Sequence, residues 1–153
     1  MPEPIRQGDI PGVQLRCRQL LSIDTETAWS WLTEPDRLGR WLASSARLEP
    51  GPPIALHLET VDEDGSRIHE LGTTLDRDRP RLWSLAFQQK SAGWPVATRL
   101  TFELAPTSEG CELSVLQEGF EHLKLSECLT IWEAYRRRWR KALARLAEET
   151  LRS

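Results

Sequence analysis

The stretch AWSWLTEPDRLGRWL, from Ala28 to Leu42, places three of the chain's seven tryptophans around an acidic-Pro break. Apolar residues before the break recur at helical spacing, and Asp24 or Thr25 can cap that first helix. Pro35 ends this helix and suits the first turn of a second short helix that ends near Trp41. The stretch therefore predicts two short helices separated by a kink, with tryptophans that serve packing or line a cavity.

The composition is that of one globular domain without a strongly charged partner. The chain has 153 residues, of which 39% are apolar and 28% charged, and its formal net charge is −3. We expect one domain over residues 1–153, with residues 1–12 as an irregular arm. The acidic balance argues against nucleic-acid binding, and no run approaches the roughly 18 apolar residues that a membrane span needs.

The reactive side chains indicate no metal site, cofactor or nucleophile. Three cysteines lie far apart and are odd in number, which favours reduced thiols and a cytoplasmic location. The three histidines lack the short spacings of metal ligands, and no nucleophile motif is present. We therefore expect no catalytic residue, metal or cofactor.

Six segments alternate between apolar and polar residues, which is the pattern of strands with one buried face. The second and third should form a hairpin around Asp62 to Gly65, with Leu56, Leu58, Leu71 and Leu75 on its buried face. Short turns between strands favour an antiparallel sheet. The segments are Val13 to Ile23, Ile54 to Val61, Arg67 to Leu75, Arg81 to Gln89, Val96 to Leu104 and Cys111 to Glu118.

The period changes to that of a helix from about Ser126 to Leu151. One amphipathic helix of roughly 39 Å is long enough to cross a curved sheet. Together with the strands and the paired short helices it predicts an α+β fold. Its apolar stripe is expected to comprise Cys128, Leu129, Trp132, Tyr135, Trp139, Leu143, Leu146 and Thr150.

Several of these motifs also carry a family resemblance that runs from Val13 to about Leu151. They are the broken aromatic-rich helix pair, a Gly-to-Pro strand pattern, a late Gly-aromatic pair and an apolar set on the terminal helix. The matching residues are Trp29, Leu32, Thr33, Glu34, Pro35, Leu38, Trp41, Gly72, Pro80, Arg81, Leu82, Gly119, Phe120, Trp139, Leu143 and Leu146. The chain departs from the pattern at Arg138, where a glycine is common, and at Pro52 and Pro53, which follow Gly51.

In their order these motifs resemble the SRPBCC or START-like helix-grip superfamily, and most of all its branch of homologues of the heat-shock-protein-90 ATPase activator. The resemblance implies a curved antiparallel sheet of about six strands wrapped around the long terminal helix. It also implies that a cavity can remain between the sheet and that helix.

Polar side chains on inward strand positions are the candidate ligand contacts, because a buried amide without a partner costs roughly 1–3 kcal/mol. Gln19, Gln89 and Gln117 occupy such positions, and His69 does so if the hairpin register is as drawn. Trp31, Trp83, Trp94 and Trp132 could line the same cavity. The ordinary alternative is that the amides find protein partners and the tryptophans fill the core. We expect Trp29, Trp41 and Trp139 to be mainly structural.

The terminal helix carries the cationic run YRRRWRKALAR, from Tyr135 to Arg145. Docking of an acidic partner is one interpretation. A solvated face is favoured, because Glu133 lies four residues before Arg137 and Glu149 four after Arg145, as helix ion pairs require.

Three functions follow in order of preference. The first is non-catalytic binding of a small apolar or amphipathic ligand between sheet and terminal helix. The second is a chaperone-activator-like protein-interaction module, ranked lower because the eukaryotic activator has an additional N-terminal domain for which 153 residues leave little room. The third is a polyketide-cyclase-like enzyme, in which His69 would pair with Glu70 or Glu118, although strand alternation puts Glu70 and His69 on opposite faces.

Overall fold

The structure is a computed structural model that describes residues 14–123 and 126–152. The irregular arm expected over residues 1–12 lies outside these ranges. Two single-turn 3-10 helices, Lys90–Ala92 and Phe120–His122, accompany ten regular elements. These are β1 (Gln14–Leu21), α1 (Thr25–Thr33), α2 (Pro35–Trp41), β2 (Ser45–Glu49), β3 (Ala55–Val61), β4 (Arg67–Asp78), β5 (Leu82–Gln89), β6 (Thr98–Thr107), β7 (Gly110–Glu118) and α3 (Cys128–Arg152).

The strands form one antiparallel sheet in the order β1-β7-β6-β5-β4-β3-β2. The sheet, the long α3 and the two short helices after β1 confirm the predicted α+β helix-grip fold. The seventh strand, β2, was not predicted. Its five residues have no fully buried position, so its alternation is weak, and among the described strands it pairs with β3 alone, at the sheet edge.

The paired helices form as the sequence predicts. The Asp24 side chain accepts a hydrogen bond from the Thr27 backbone N–H at 2.8 Å and so caps α1. α2 begins at Pro35. Trp41 Nε1 donates to the Trp31 carbonyl oxygen at 3.0 Å, which joins the two helices below the kink.

The register of β4 differs from the predicted one. Glu70 and Gly72 are buried on its inner face, whereas Leu71 is half-buried on the other face and Leu75 is 56% exposed. Glycine fits this inward position because the space beside it is small: an added Cβ would lie 2.9 Å from Leu85 Cδ2. His69 is consequently not inward, contrary to the prediction, while Leu56 and Leu58 are buried as expected.

The α3 helix packs over the sheet through its central tryptophan. The Trp139 ring meets Phe102 of β6 edge-on, with ring centroids 5.8 Å apart. Most of the predicted apolar stripe is buried, with Trp132 half-buried. The prediction for Leu129 is wrong: its side chain is 58% exposed, and Ile131 packs against the core instead.

Among the described residues no disulfide is formed, and Cys111 and Cys128 are buried. Among the described helices, none is long and apolar enough to cross a membrane.

Candidate ligand-binding groove

A groove of about 950 Å³ opens between the end of α2, the tip of the β3–β4 hairpin and the outer half of α3. We call it the groove throughout. Its lining comes from residues 39 and 41–44 within and after α2, residues 60–64, 68 and 70 of the hairpin, Gln89 of β5, and residues of α3 between Ala134 and Arg145. It therefore lies between sheet and terminal helix, where the fold allows a cavity.

The floor of the groove holds a buried carboxylate. Glu70 has no exposed surface, and its Oε2 accepts a hydrogen bond from Tyr135 Oη at 2.5 Å. The Arg138 guanidinium forms an ion pair with the same oxygen. The other oxygen, Oε1, is also buried and has no hydrogen-bond partner among the described residues.

Strand register and helix spacing bring this cluster together. Glu70 lies opposite Leu58 of β3 and Gln89 of β5, so it takes an inward position in the middle of three strands. Tyr135 and Arg138 are three residues apart on α3 and therefore project from one helix face. Tyr135 Oη also lies 3.3 Å from Gln89 Oε1, but its single proton is committed to the closer Glu70 oxygen.

Burial and charge both act on the ionisation of this cluster. Burial, reinforced by the negative charge of Glu70, raises the pKa of Tyr135 well above its ordinary value. Burial is the largest single influence on Arg138 and would lower its pKa, but Glu70 and Tyr135 together outweigh burial and the pKa is raised. The phenol stays protonated and the guanidinium stays charged at neutral pH.

The sides of the groove combine apolar surface with opposite charges. Apolar side chains of α2, the hairpin and α3 line it, among them Trp41, Val61 and Ile68. Cationic side chains of α3 form one rim, and acidic side chains of the hairpin turn form the other. The cationic rim comprises Arg137, Lys141 and Arg145, and the acidic rim comprises Asp62, Glu63 and Asp64.

The ion pairs predicted for the cationic rim do not form. Glu133 lies 3.6 Å from Arg136 rather than near Arg137, and Glu149 pairs with Arg40 at 3.9 Å and Arg152 at 3.5 Å. Among the described residues, no carboxylate lies within 4 Å of a cationic group of the rim. The rim is therefore a row of uncompensated positive charge.

Of the predicted amides, only Gln89 lines the groove. Gln117 is fully buried as expected, but protein groups satisfy it: its Nε2 donates to Thr98 Oγ1 at 3.0 Å and its Oε1 accepts from Trp139 Nε1 at 2.9 Å. Gln19 lies on edge strand β1 and donates to the Leu20 carbonyl at 3.1 Å.

The four candidate tryptophans lie outside the groove. Trp31 is 1% exposed, with Arg37 and Arg40 stacked 5.0 and 5.8 Å from its ring. Trp83 is fully buried and donates to Thr74 Oγ1, and Trp132 donates to the Gln14 carbonyl. The Trp94 ring meets the ring of the lining residue Tyr135 edge-on, with ring centroids 5.6 Å apart. Trp41, expected to be mainly structural, does line the groove.

His69 stacks on His57 on the outer face of the sheet, with ring centroids 5.6 Å apart. Glu118 belongs to β7, which is separated from β4 by two strands, and so it does not meet His69. In the described ranges, no three His, Cys, Asp or Glu residues form a group that could hold a metal ion.

Sequence reasoning missed Glu70, Trp41, Tyr135 and Arg138 as site residues. One signal for Glu70 was available: with Gly72 it keeps a period of two through HELG, and glycine in a strand marks close backbone approach. Arg138, which takes the position of a common family glycine, was the second signal.

The fold and the groove define the class of protein, a helix-grip domain with a cavity between its sheet and its terminal helix. The chain belongs to the family described as Activator of Hsp90 ATPase homolog 1-like protein, whose model matches residues 22–149. No curated protein sequence matches it significantly.

Solved structures share the fold. Protein NE0264 from Nitrosomonas europaea is 20% identical, with a TM-score of 0.73 over 90% of this chain and 93% of that one. Protein CV1439 from Chromobacterium violaceum is 21% identical, with a TM-score of 0.71 over 92% and 98%. An AHSA1-like protein from Aeromonas hydrophila is 12% identical, with a TM-score of 0.66 over 89% and 92%.

Proposed function

We propose that the protein binds a small amphipathic molecule in the groove without converting it chemically. The observation that carries this proposal is a buried carboxylate oxygen, Glu70 Oε1, which has no partner among the described residues and lies at the floor of a cavity. Buried polar atoms are normally paired, and a ligand could supply the missing partner. The volume of about 950 Å³ lies within the range of small-molecule sites.

The mixed lining favours an amphipathic ligand over a purely apolar one. Apolar side chains such as Trp41, Val61 and Ile68 would cover a hydrocarbon body, whereas the charged rims would contact polar ends. The tryptophans predicted as ligand contacts belong to the packing around this site rather than to its lining. Of the predicted set, Gln89 is therefore the residue we retain as a ligand contact.

A chaperone-activator-like interaction module is the second candidate. The uncompensated charges of Arg137, Lys141 and Arg145 support it, because an acidic protein surface could neutralise them. The cyclase-like enzyme receives no comparable support. The pairing of His69 with Glu70 or Glu118 does not form, because Glu70 lies on the opposite face of β4 and Glu118 belongs to β7, two strands away.

Displacement of a fluorescent amphiphile tests ligand binding. We expect 8-anilinonaphthalene-1-sulfonate to bind the native protein and medium-chain amphiphiles to displace it. Ala134→Trp should abolish this binding, because Ala134 is an exposed α3 residue that lines the groove and an indole would fill the space. Ala144→Trp is the matched control, since Ala144 is exposed on the same helix outside the lining.

Equal dye binding by the two tryptophan variants would place the dye elsewhere and contradict the proposal. So would failure of decanoate, decanol and decylamine alike to displace the dye from the folded protein. Native mass spectrometry of gently purified protein supplies a second readout, in which a co-purified small molecule should disappear in the Ala134→Trp variant.

A further inference from the structure

From the proposed function we infer that the groove selects a hydroxylated medium-chain acid, whose hydroxyl donates to Glu70 Oε1 and whose anionic group meets the cationic rim of α3. The inference rests on ligand binding in the groove, and it adds which chemical groups the ligand must carry. Three features of the groove support it. They are the charge balance around Glu70, the charges of the two rims, and the distance along α3 between Arg138, which pairs with Glu70, and Arg145 at the far end of the cationic rim.

The first feature is the charge balance at the floor. Glu70 is already neutralised by Arg138, and Tyr135 donates to the same carboxylate oxygen. A ligand ammonium at Oε1 would leave an excess positive charge in a buried place, whereas a hydroxyl would satisfy the lone pair without adding charge. Since Oε1 has no solvent exposure, the hydroxyl has to reach it by small displacements of the side chains that cover it.

The second feature is the asymmetry of the rims. Arg137, Lys141 and Arg145 are spaced four residues apart on a rigid helix, so their charges point to one side of the groove. On the opposite rim, Asp64 is already engaged by Ser66, whose N–H and hydroxyl donate to Oδ1 at 2.9 and 2.6 Å. The uncompensated cations attract an acid, and the acidic rim repels it, which fixes the ligand's orientation.

The third feature is length. Arg138, which holds Glu70, and Arg145, at the far end of the cationic rim, are separated by about two helical turns, roughly 10 Å along the axis. A ligand that reaches both must hold its hydroxyl and its acid at a comparable separation. A straight chain of about ten carbons has this reach, since an extended hydrocarbon chain of that size is slightly longer than two helical turns.

Calorimetric titration of the native chain with three probes tests the inference: 10-hydroxydecanoic acid, decanoic acid and 1,10-decanediol. The hydroxy acid should bind about tenfold more tightly than decanoic acid, as expected for a hydrogen bond to a charged group. It should also bind more tightly than the diol, and added salt should reduce only this second preference, because exposed charges are screened.

Three variants locate the contacts. Arg145→Gln should weaken binding of the hydroxy acid but not of the diol, and Arg140→Gln, which removes an exposed charge outside the groove, should change neither. Glu70→Gln should reduce the preference for the hydroxy acid over decanoic acid, because a neutral amide hydrogen-bonds a hydroxyl more weakly than a carboxylate does, with circular dichroism to confirm its fold. Wild-type protein that binds all three probes equally overturns the inference but not ligand binding, whereas binding of none of them contradicts both.

Discussion

Glu70 is a carboxylate without exposed surface, and such a group is stable only where its charge is compensated. Arg138 supplies the opposite charge, and Tyr135 supplies a proton at 2.5 Å from Oε2. Aromatic rings complete the enclosure of the phenol: Phe87 and Trp94 meet the Tyr135 ring edge-on at 6.2 and 5.6 Å. This environment favours the neutral phenol strongly.

Tyr135 should therefore resist ionisation for as long as the protein stays folded. Burial and the Glu70 charge raise its pKa above the value of about 10 that the unfolded chain has. The protonated phenol stabilises the fold fully below about pH 10, and this contribution is lost as pH rises through the folded pKa, where the unfolded state binds fewer protons. Because the chain has one tyrosine, tyrosinate absorbance reports this group alone.

We expect tyrosinate absorbance to rise together with the loss of the circular dichroism signal, and not before it. The same chain in urea should titrate near pH 10, which calibrates the signal. Tyr135→Phe provides the spectral baseline. An absorbance rise near pH 10 in protein that is still folded by circular dichroism would contradict the buried position of Tyr135.

At the scale of elements, the sequence predicted the helices more accurately than strand β4. Capping and proline signals determine α1 and α2, and those signals are local. The register of β4 is different, because Leu71 and Leu75 suggest the wrong face on hydrophobicity alone. A shift of one residue moves every side chain of a strand to the opposite face. Placing Leu71 and Leu75 inward therefore put both Glu70 and Gly72 on the wrong face.

The correct register of β4 makes Gly72 a packing position. Gly72→Ala should lower the free energy of unfolding by about 1–3 kcal/mol, because a Cβ at 2.9 Å from Leu85 Cδ2 overpacks a fully buried side chain. Gly39→Ala is the control of opposite sign. Gly39 lies within helix α2, and the nearest atom to an added Cβ would be the Ser44 carbonyl oxygen, 4.0 Å away. Alanine should therefore stabilise the protein by roughly 0.5–1 kcal/mol.

Urea denaturation monitored by tryptophan fluorescence measures both changes. A Gly72→Ala variant as stable as wild type would mean that Leu85 moves freely or that Gly72 is not inward. The same result would favour the hairpin register first expected from Leu71 and Leu75.

At the scale of the whole molecule, the groove joins parts of the chain that are distant in sequence. Its lining spans α2, the β3–β4 hairpin, β5 and α3, and no local pattern relates these segments. For Gln117 the inward position was predictable from the sequence, but its hydrogen-bond partners were not. Those partners, Thr98 and Trp139, follow from strand pairing and helix docking. The sequence and the family resemblance could thus predict a cavity between sheet and helix, but not which polar residue lies at its floor.

Arg138 of α3 connects that helix to β4 and to the end of α2. Among the arginines of α3, its substitution should therefore lower the free energy of unfolding the most. Its guanidinium pairs with Glu70 of β4 and donates to the Leu42 carbonyl after α2 at 3.3 Å.

Arg138→Gln should lower the free energy of unfolding by about 3 kcal/mol, the low end for a broken buried pair, because the Arg138 side chain keeps 21% exposure. Adding Glu70→Gln should restore part of this loss, since the uncompensated carboxylate is then gone. Arg140→Gln, an exposed charge two residues along the helix, should stay within about 0.5 kcal/mol of wild type. Urea denaturation of the four proteins measures the set, and an Arg138→Gln variant no less stable than Arg140→Gln would show that α3, β4 and α2 are not coupled through this side chain.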